Sequence, residues 1–337
     1  NMDLNAFADH HPGKLNLVVH GYIGKQDLLL FMKDTPEPLR RRWPNAPLRI
    51  DGVLKGNLRM AKFAGLSVNL PSAFKFQANG YIAGLMDPKR IKANVDLKAT
   101  TYHLDFLTAL LDPSLMQTIR IPVGIGFKGN VRVDGSIYAS HFRLTEGGGY
   151  VAGNGLFDVS RMDYHADLVA SKLQLQHFLP HKGLTPFSGH VVVKGSGTDI
   201  LSVRTKLDVK FKVDDFHYSG YSLSDINGMA NLSAGRLHAQ VNSHNPLIKG
   251  MIGLDALTQK RFMRGTLTLD LSHADLFRLH FADRQMTFSG CGHIDWASDF
   301  KHNYKLNGAL GDITFSDATR VYRPDDLVFD ILSRRDT

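Results

Sequence analysis

The chain has 337 residues, 43% hydrophobic and 21% charged, with one Cys, two Trp and a formal net charge of +8. That apolar share can bury a core and excludes intrinsic disorder, while the single Cys291 excludes a disulfide framework and any Cys-rich zinc module. No apolar stretch approaches the roughly 18 residues that span a bilayer as a helix, and Asn1–Gly13 carries Asp3, Asp9, His10 and His11 where a signal peptide would be apolar.

Taken in chain order, most of the sequence alternates with period two. Asp27–Met32 is an exception, with apolar residues at helical spacing. Leu48, Ile50, Gly52, Leu54, Gly56, Leu58 and Met60 then alternate with Arg49, Asp51, Lys55, Asn57 and Arg59. Shorter alternating segments follow at Phe74–Ile82 and Ile91–Ala99. Leu104–Ile119 returns to helical spacing. From Ile121 one side reads Ile121, Val123, Ile125, Phe127, Gly129, Val131, Val133, Gly135 and Ile137, and every charge falls on the other. That run is either one long strand or a pair folded back near Gly129.

Leu173–Leu179 is a third helical segment. Val203, Thr205, Leu207, Val209, Phe211 and Val213 alternate with Arg204, Lys206, Asp208, Lys210 and Lys212. Asp275–Phe281 is the fourth helical segment, and Met286–Trp296 and Tyr304–Leu310 alternate again. Strands that keep one wet face are antiparallel, because parallel strands are covered on both sides. Glu146-Gly147-Gly148-Gly149, Asn154-Gly155, Gly195-Ser196-Gly197 and Asn227-Gly228 read as hairpin turns.

A compact chain of this length normally divides into two domains, yet no Pro/Ser/Gly-rich or charged linker interrupts the pattern. An elongated array escapes that limit, since each unit touches only its neighbours. A Gly-bearing strand follows each helical segment, at Leu54-Lys55-Gly56, Phe127-Lys128-Gly129, Val193-Lys194-Gly195 and Phe288-Ser289-Gly290. The chain therefore reads as one array of four loose units, about 1–100, 101–171, 172–270 and 271–337. Asn1 precedes Met2 and the sequence stops at Arg334–Thr337, so it also reads as a piece of something longer.

Strands running into a short amphipathic segment and then a Gly-Val-rich strand resemble the repeats of AsmA/TamB-type bacterial envelope proteins. The residues concerned are Tyr102–Leu107 leading to Phe127–Gly135, Lys172–Leu179 leading to Gly189–Gly195, and Ala274–Phe277 leading to Phe288–Ile294. The resemblance covers nearly the whole chain through soft motifs, and points to a TamB-like fragment. It implies a long, twisted half-pipe with an apolar trough that moves phospholipids between the two membranes of diderm bacteria, with a role in outer-membrane protein assembly also proposed. Members carry an inner-membrane anchor, and neither that anchor nor the distinctive TamB C-terminal domain is recognisable here.

The chemistry of other classes is missing. His177 and His181 stand four apart, but Pro180 between them disrupts a helix that would present both, and His10-His11, His238 and His244 lack zinc-ligand spacing. No Gly-x-Ser-x-Gly elbow occurs. Gly147–Gly149 joins two strands, so it is no phosphate loop. Lys and Arg are dispersed, with only Arg40-Arg41-Arg42 clustered and no nucleic-acid-binding signature. No catalytic residue, metal or cofactor is expected, and no nucleic-acid partner.

The expected fold is all-β and mainly antiparallel, an elongated, repeat-built curved sheet forming an open half-pipe groove with a few short amphipathic helices. A closed sandwich or barrel would alternate in the same way, but the helical segments are too few and short to cover so many strands. The expected function is a non-enzymatic periplasmic protein of the cell envelope whose groove shields phospholipid acyl chains. Its lining residues are Ile121, Val123, Ile125, Phe127, Val131, Val133, Leu207, Val209, Phe211, Val213, Phe288, Ile294 and Trp296. The alternatives are a scaffold that pairs strands with an outer-membrane β-barrel protein, and a closed β-sandwich surface domain.

Overall fold

The computed structural model describes residues 13–31, 36–57, 59–84, 87–110, 120–180, 183–218, 220–259, 262–299, 303–317 and 319–333. They form mainly antiparallel strands with a few short helices, as the alternation predicts. The chain divides into two compact units, Asn1–Ser160 with Leu168–Pro186, and Arg161–Asp167 with Phe187–Thr337.

The first unit holds β1 (Leu15–Ile23), α1 (Lys25–Phe31), α2 (Glu37–Arg42), β2 (Leu48–Gly56), β3 (Met60–Leu70), β4 (Phe74–Ala83), β5 (Lys92–Thr101), β6 (Gly126–Asp134), β7 (Ile137–Glu146) and β8 (Gly149–Asp158). Each of these strands pairs antiparallel with the next. Residues of β9 (Asp163–Gln174) belong to both units, and the single-turn α3 (Leu175–Phe178) follows in the first.

The second unit holds β10 (Pro186–Ser196), β11 (Lys206–Asp215), β12 (His217–Tyr218), β13 (Tyr221–Ser222), β14 (Ile226–Ser233), β15 (Arg236–His244), β16 (Ile248–Gln259), β17 (Phe262–Asp275), β18 (Thr287–Ser298), β19 (Tyr304–Ser316), β20 (Val321–Tyr322) and β21 (Leu327–Ser333). From β10 to β19 the long strands pair in order, and β19 takes both β20 and β21. The short β12 and β13 form a ribbon of their own.

Several boundaries differ from the sequence expectation. The run from Ile121 to Ile137 folds back at Gly135-Ser136, where Gly135 adopts φ +58°, and not at Gly129, which pairs with Leu97 and Phe142 inside the sheet. Ile121–Ile125 precede β6 as a turn that Gly124 (φ +82°) makes possible. Its amide donates to Thr101 O at 3.0 Å, and the Thr101 amide donates to Ile125 O at 2.9 Å. The Leu48–Met60 run breaks after Gly56. Val203 and Thr205 lie in a turn ahead of β11, which Thr205 Oγ1 closes by donating to Asp199 O at 2.5 Å.

Asn154-Gly155 and Asn227-Gly228 are not turns. Both sit inside strands, β8 and β14, where the Asn side chain faces the polar side. The turn between β14 and β15 is Ala234-Gly235, both at positive φ.

The helical segments are shorter than their spacing suggests. Asp27–Met32 falls in α1, with Met32 outside the described residues. Leu104–Ile119 is described only to residue 110 and shows a 3-10 turn at Asp105–Leu110. Leu173–Leu179 shortens to α3. Asp275–Phe281 is no helix: β17 runs to Asp275, and the amides of Phe281 and Ala282 both return to Leu276 O at 2.8 and 3.1 Å, which ends the first turn. The sequence reading also missed α2, which Pro38 opens near its first turn and Leu39 anchors.

The hydrophobic cluster of the first unit sits at one end of its sheet. Leu39, Leu48, Leu70, Ala73 and Phe106 are buried there beneath α2 and the Asp105–Leu110 turn. Trp43 meets Phe106 edge to face with ring centroids 5.1 Å apart.

Candidate functional site: the apolar sheet faces

Register turns the alternation into continuous rows. In the first unit Val68, Phe76, Ala99, Phe127, Leu144 and Val151 follow one another across β3 to β8. In the second unit Val193, Val209, Ala230, Ala239, Leu254, Leu267, Ile294, Gly308 and Phe329 form a row from β10 to β21. A one-residue slip would turn a strand's apolar set to the polar face, so burial preference and register reinforce each other.

Aromatic rings flatten the faces by lying over glycines on the neighbouring strand. Phe211 covers Gly228 and Phe329 covers Gly308, so that a Cβ on either glycine would come within 3 Å of the ring. Phe142 stacks on Phe127, at 6.0 Å and 14° between planes. A glycine in a strand offers nothing to pack, and the ring laid across it supplies the missing contact.

These faces are only half-buried. Fourteen hydrophobic side chains among the described residues are buried, five of them in the cluster under α2. Val209, Phe211, Leu267 and Ile294 are not among them. The element pairs in closest contact are consecutive strands, together with α2 and the Asp105–Leu110 turn. Neither unit lays a second β-layer on its apolar face among these contacts.

The sequence-derived lining residues fall into three groups. Phe127, Val131 and Val133 share the apolar face of β6 in the first unit. Leu207, Val209, Phe211 and Val213 on β11, with Phe288, Ile294 and Trp296 on β18, belong to the second unit, where Val209 and Ile294 stand in one row. Ile121, Val123 and Ile125 stand outside the strands; Val123 is 58% exposed in the turn and Ile125 is buried. The row also takes in Leu254, Leu267 and Phe329, which sequence reading passed over although Leu267, Leu269 and Leu271 alternate as clearly as β11 does.

The opposite faces are polar and internally bonded. In the first unit Asn130 Nδ2 donates to Asn94 Oδ1 at 2.7 Å and Asp96 Oδ1 at 2.9 Å. His141 Nδ1 and Asn154 Oδ1 lie 2.8 Å apart. At the start of the sheet Arg49 Nε reaches Asp51 Oδ2 at 2.6 Å and His20 Nδ1 reaches Oδ1 at 3.0 Å. The hydrogen bond from Arg49, then that from His20, holds the Asp51 carboxyl below the usual carboxylate range.

Two further titratable groups have close polar neighbours. His177 Nδ1 lies 2.6 Å from Glu146 Oε1, a carboxylate only 2% exposed, and His181 lies outside the described residues. Desolvation, then the Asp312 carboxylate 3.6 Å away, pushes the Cys291 thiol up. Among the described residues no three His, Cys, Asp or Glu side chains converge on a metal-sized site, and no helix is long and apolar enough to cross a membrane. Comparison with known proteins finds no matching family model, no matching curated protein and no matching solved structure.

Proposed function

We propose that this is a non-enzymatic protein of the diderm cell envelope whose apolar sheet faces shield acyl chains while phospholipid passes between the inner and outer membranes. The observation that carries the reading is the half-exposed apolar row of each unit, running from strand to strand without a covering layer among the described residues. A sheet face of this kind needs a partner, and an acyl chain gains about 0.8 kcal/mol per CH₂ withdrawn from water. Ring-over-glycine pairs leave the lining smooth, which suits a chain that must slide. The resemblance to AsmA/TamB repeats supports the same assignment.

Native mass spectrometry with lipid extraction, on protein purified without detergent, tests it. Co-purified phospholipid at fixed stoichiometry supports the reading; a stable, lipid-free protein that takes up no lipid from vesicles overturns it.

A second reading draws on β21, whose hydrogen bonds run to β19. Its Leu327, Val328 and Leu332 are 52%, 76% and 57% exposed. Exposed apolar strands of this kind accept further strands, which suits a scaffold for outer-membrane β-barrel proteins. Cross-linking from β21 to a barrel strand would favour it.

A further inference from the structure

The polar face of the second unit carries two parallel rows of opposite character. Ser233, Arg236, Leu257, Arg264, Ala297 and Lys305 pair in succession from β14 to β19. Two residues along each strand, Asn231, His238, Asp255, Thr266, Asp295 and Asn307 form the neighbouring row. A recess of about 850 Å³ lies over both. The rows are separated by two residues of strand, roughly 7 Å, and the cations of the first stand two strands apart, about 10 Å.

The two rows differ in how their charges are used. Asp255 Oδ1 lies 2.7 Å from His238 Nδ1, and Thr266 Oγ1 donates to Asp295 Oδ1 at 2.6 Å. Arg236, Arg264 and Lys305 have no side-chain partner among the described residues. Isolated surface cations are ordinary; three in register on one recess, with carboxylates one pleat away, make a polarised strip. Leu257, 37% exposed, and Ala297 separate the cations and leave room between them.

We propose that this strip binds a phosphate ester bearing a primary amine, the phosphoethanolamine type of zwitterion. The phosphate meets Arg264 with Arg236 or Lys305 beside it, using the guanidinium geometry that suits phosphate oxygens. The ammonium meets Asp295 and Asp255 across the strip, where free carboxylate lone pairs remain. A doubly anionic ligand would instead face those two carboxylates. A quaternary ammonium cannot donate to them, and Trp296, the aromatic residue among those lining the recess, stands between the two rows with the opposite parity on β18. This site lies on the face opposite the acyl-shielding rows and stands independently of that function.

The test is titration of the whole chain with sn-glycero-3-phosphoethanolamine, sn-glycero-3-phosphocholine and inorganic phosphate, followed by amide NMR and calorimetry. The ethanolamine ester is expected to bind at least about tenfold more tightly than the other two, with shifts confined to β15–β19. Arg264→Glu and Asp295→Asn are each expected to abolish that preference, while Lys128→Glu on the first unit leaves it intact. Vesicles of phosphatidylethanolamine or phosphatidylcholine identify the source: preference for the former, lost in Arg264→Glu, assigns a lipid headgroup, and preference seen with the soluble ester alone assigns a soluble ligand. Equal binding of all three soluble probes, or a preference that persists in a folded Arg264→Glu protein, overturns the proposal.

Discussion

Phe211 on β11 and Gly228 on β14 face each other directly, and the ring lies so close that a Cβ on Gly228 would stand 2.7 Å from Phe211 Cζ and 2.7 Å from Gln240 O. One neighbour is a side chain that can turn; the other is backbone that cannot. Gly228→Ala is therefore expected to displace the ring and destabilise the second unit by about 1–3 kcal/mol. Urea unfolding followed by circular dichroism checks it, and unchanged stability would show that the ring is not held there.

The two faces of a strand predict opposite outcomes for neighbouring residues. Val131→Asp and Phe211→Asp put a charge into the apolar rows and are expected to abolish lipid co-purification or unfold their unit. Arg132→Asp and Lys210→Asp, one residue away on the polar side, are expected to leave lipid binding within twofold, about 0.4 kcal/mol. Equal losses in both sets, in folded proteins, would contradict the face assignment.

The cluster beneath α2 is the most protein-like core of the first unit. Leu70 is fully buried there, so Leu70→Ala is expected to cost about 2–5 kcal/mol. Phe106→Ala removes the edge contact to Trp43, and a red shift of Trp43 emission in a Trp296→Phe background would report it. An unshifted spectrum would mean that Trp43 packs without Phe106.

Asp51 ties β1 to β2 through His20 and is held by Arg49 on its own strand. Because its folded pKa lies below the unfolded value of about 4, the stabilisation is present above that value and is lost as pH falls through the lower folded value. Carboxyl-detected NMR should show Asp51 titrating below the usual carboxylate range, and Arg49→Ala should move it up. Asp51→Asn should remove this component of acid sensitivity.

Cys291 should alkylate more slowly at pH 8 than the same thiol in the unfolded chain, since desolvation and Asp312 both disfavour the thiolate. Asp312→Asn should recover part of the rate. Thiol-reactive probes read both directly.

Much of the strand content was legible because each strand keeps one wet face. Lys206–Asp215 has every charge on one parity and every apolar residue on the other up to Val213, and it forms β11. Turn positions were less legible, because glycine serves two purposes here. Gly228 looks like half of an Asn-Gly turn but is a seat for the Phe211 ring, whereas the true bend uses Ala234 in a left-handed conformation that sequence does not advertise. Leu276 and Leu279 imitate a helix for the same local reason: three-residue spacing also fits a folded turn, and the return of Phe281 N to Leu276 O is invisible until the chain is built. The polar rows escaped notice altogether, since Arg236, Arg264 and Lys305 are separated by 28 and 41 positions and only register brings them into line.

Consecutive pairing within each unit has a mechanical meaning. When β19 is paired to β18 and β18 to β17, removing a terminal strand exposes one new edge and leaves the remaining ladder intact. Such a ladder loses stability by increments, each about the worth of one strand pair, and it can open from an edge one strand at a time. Pulled at its end, it would unzip at low, repeated force rather than yield in one cooperative event. It tolerates growth or shrinkage by whole hairpins, so the length of an apolar row can change by adding or deleting sequence without redesigning what is already there.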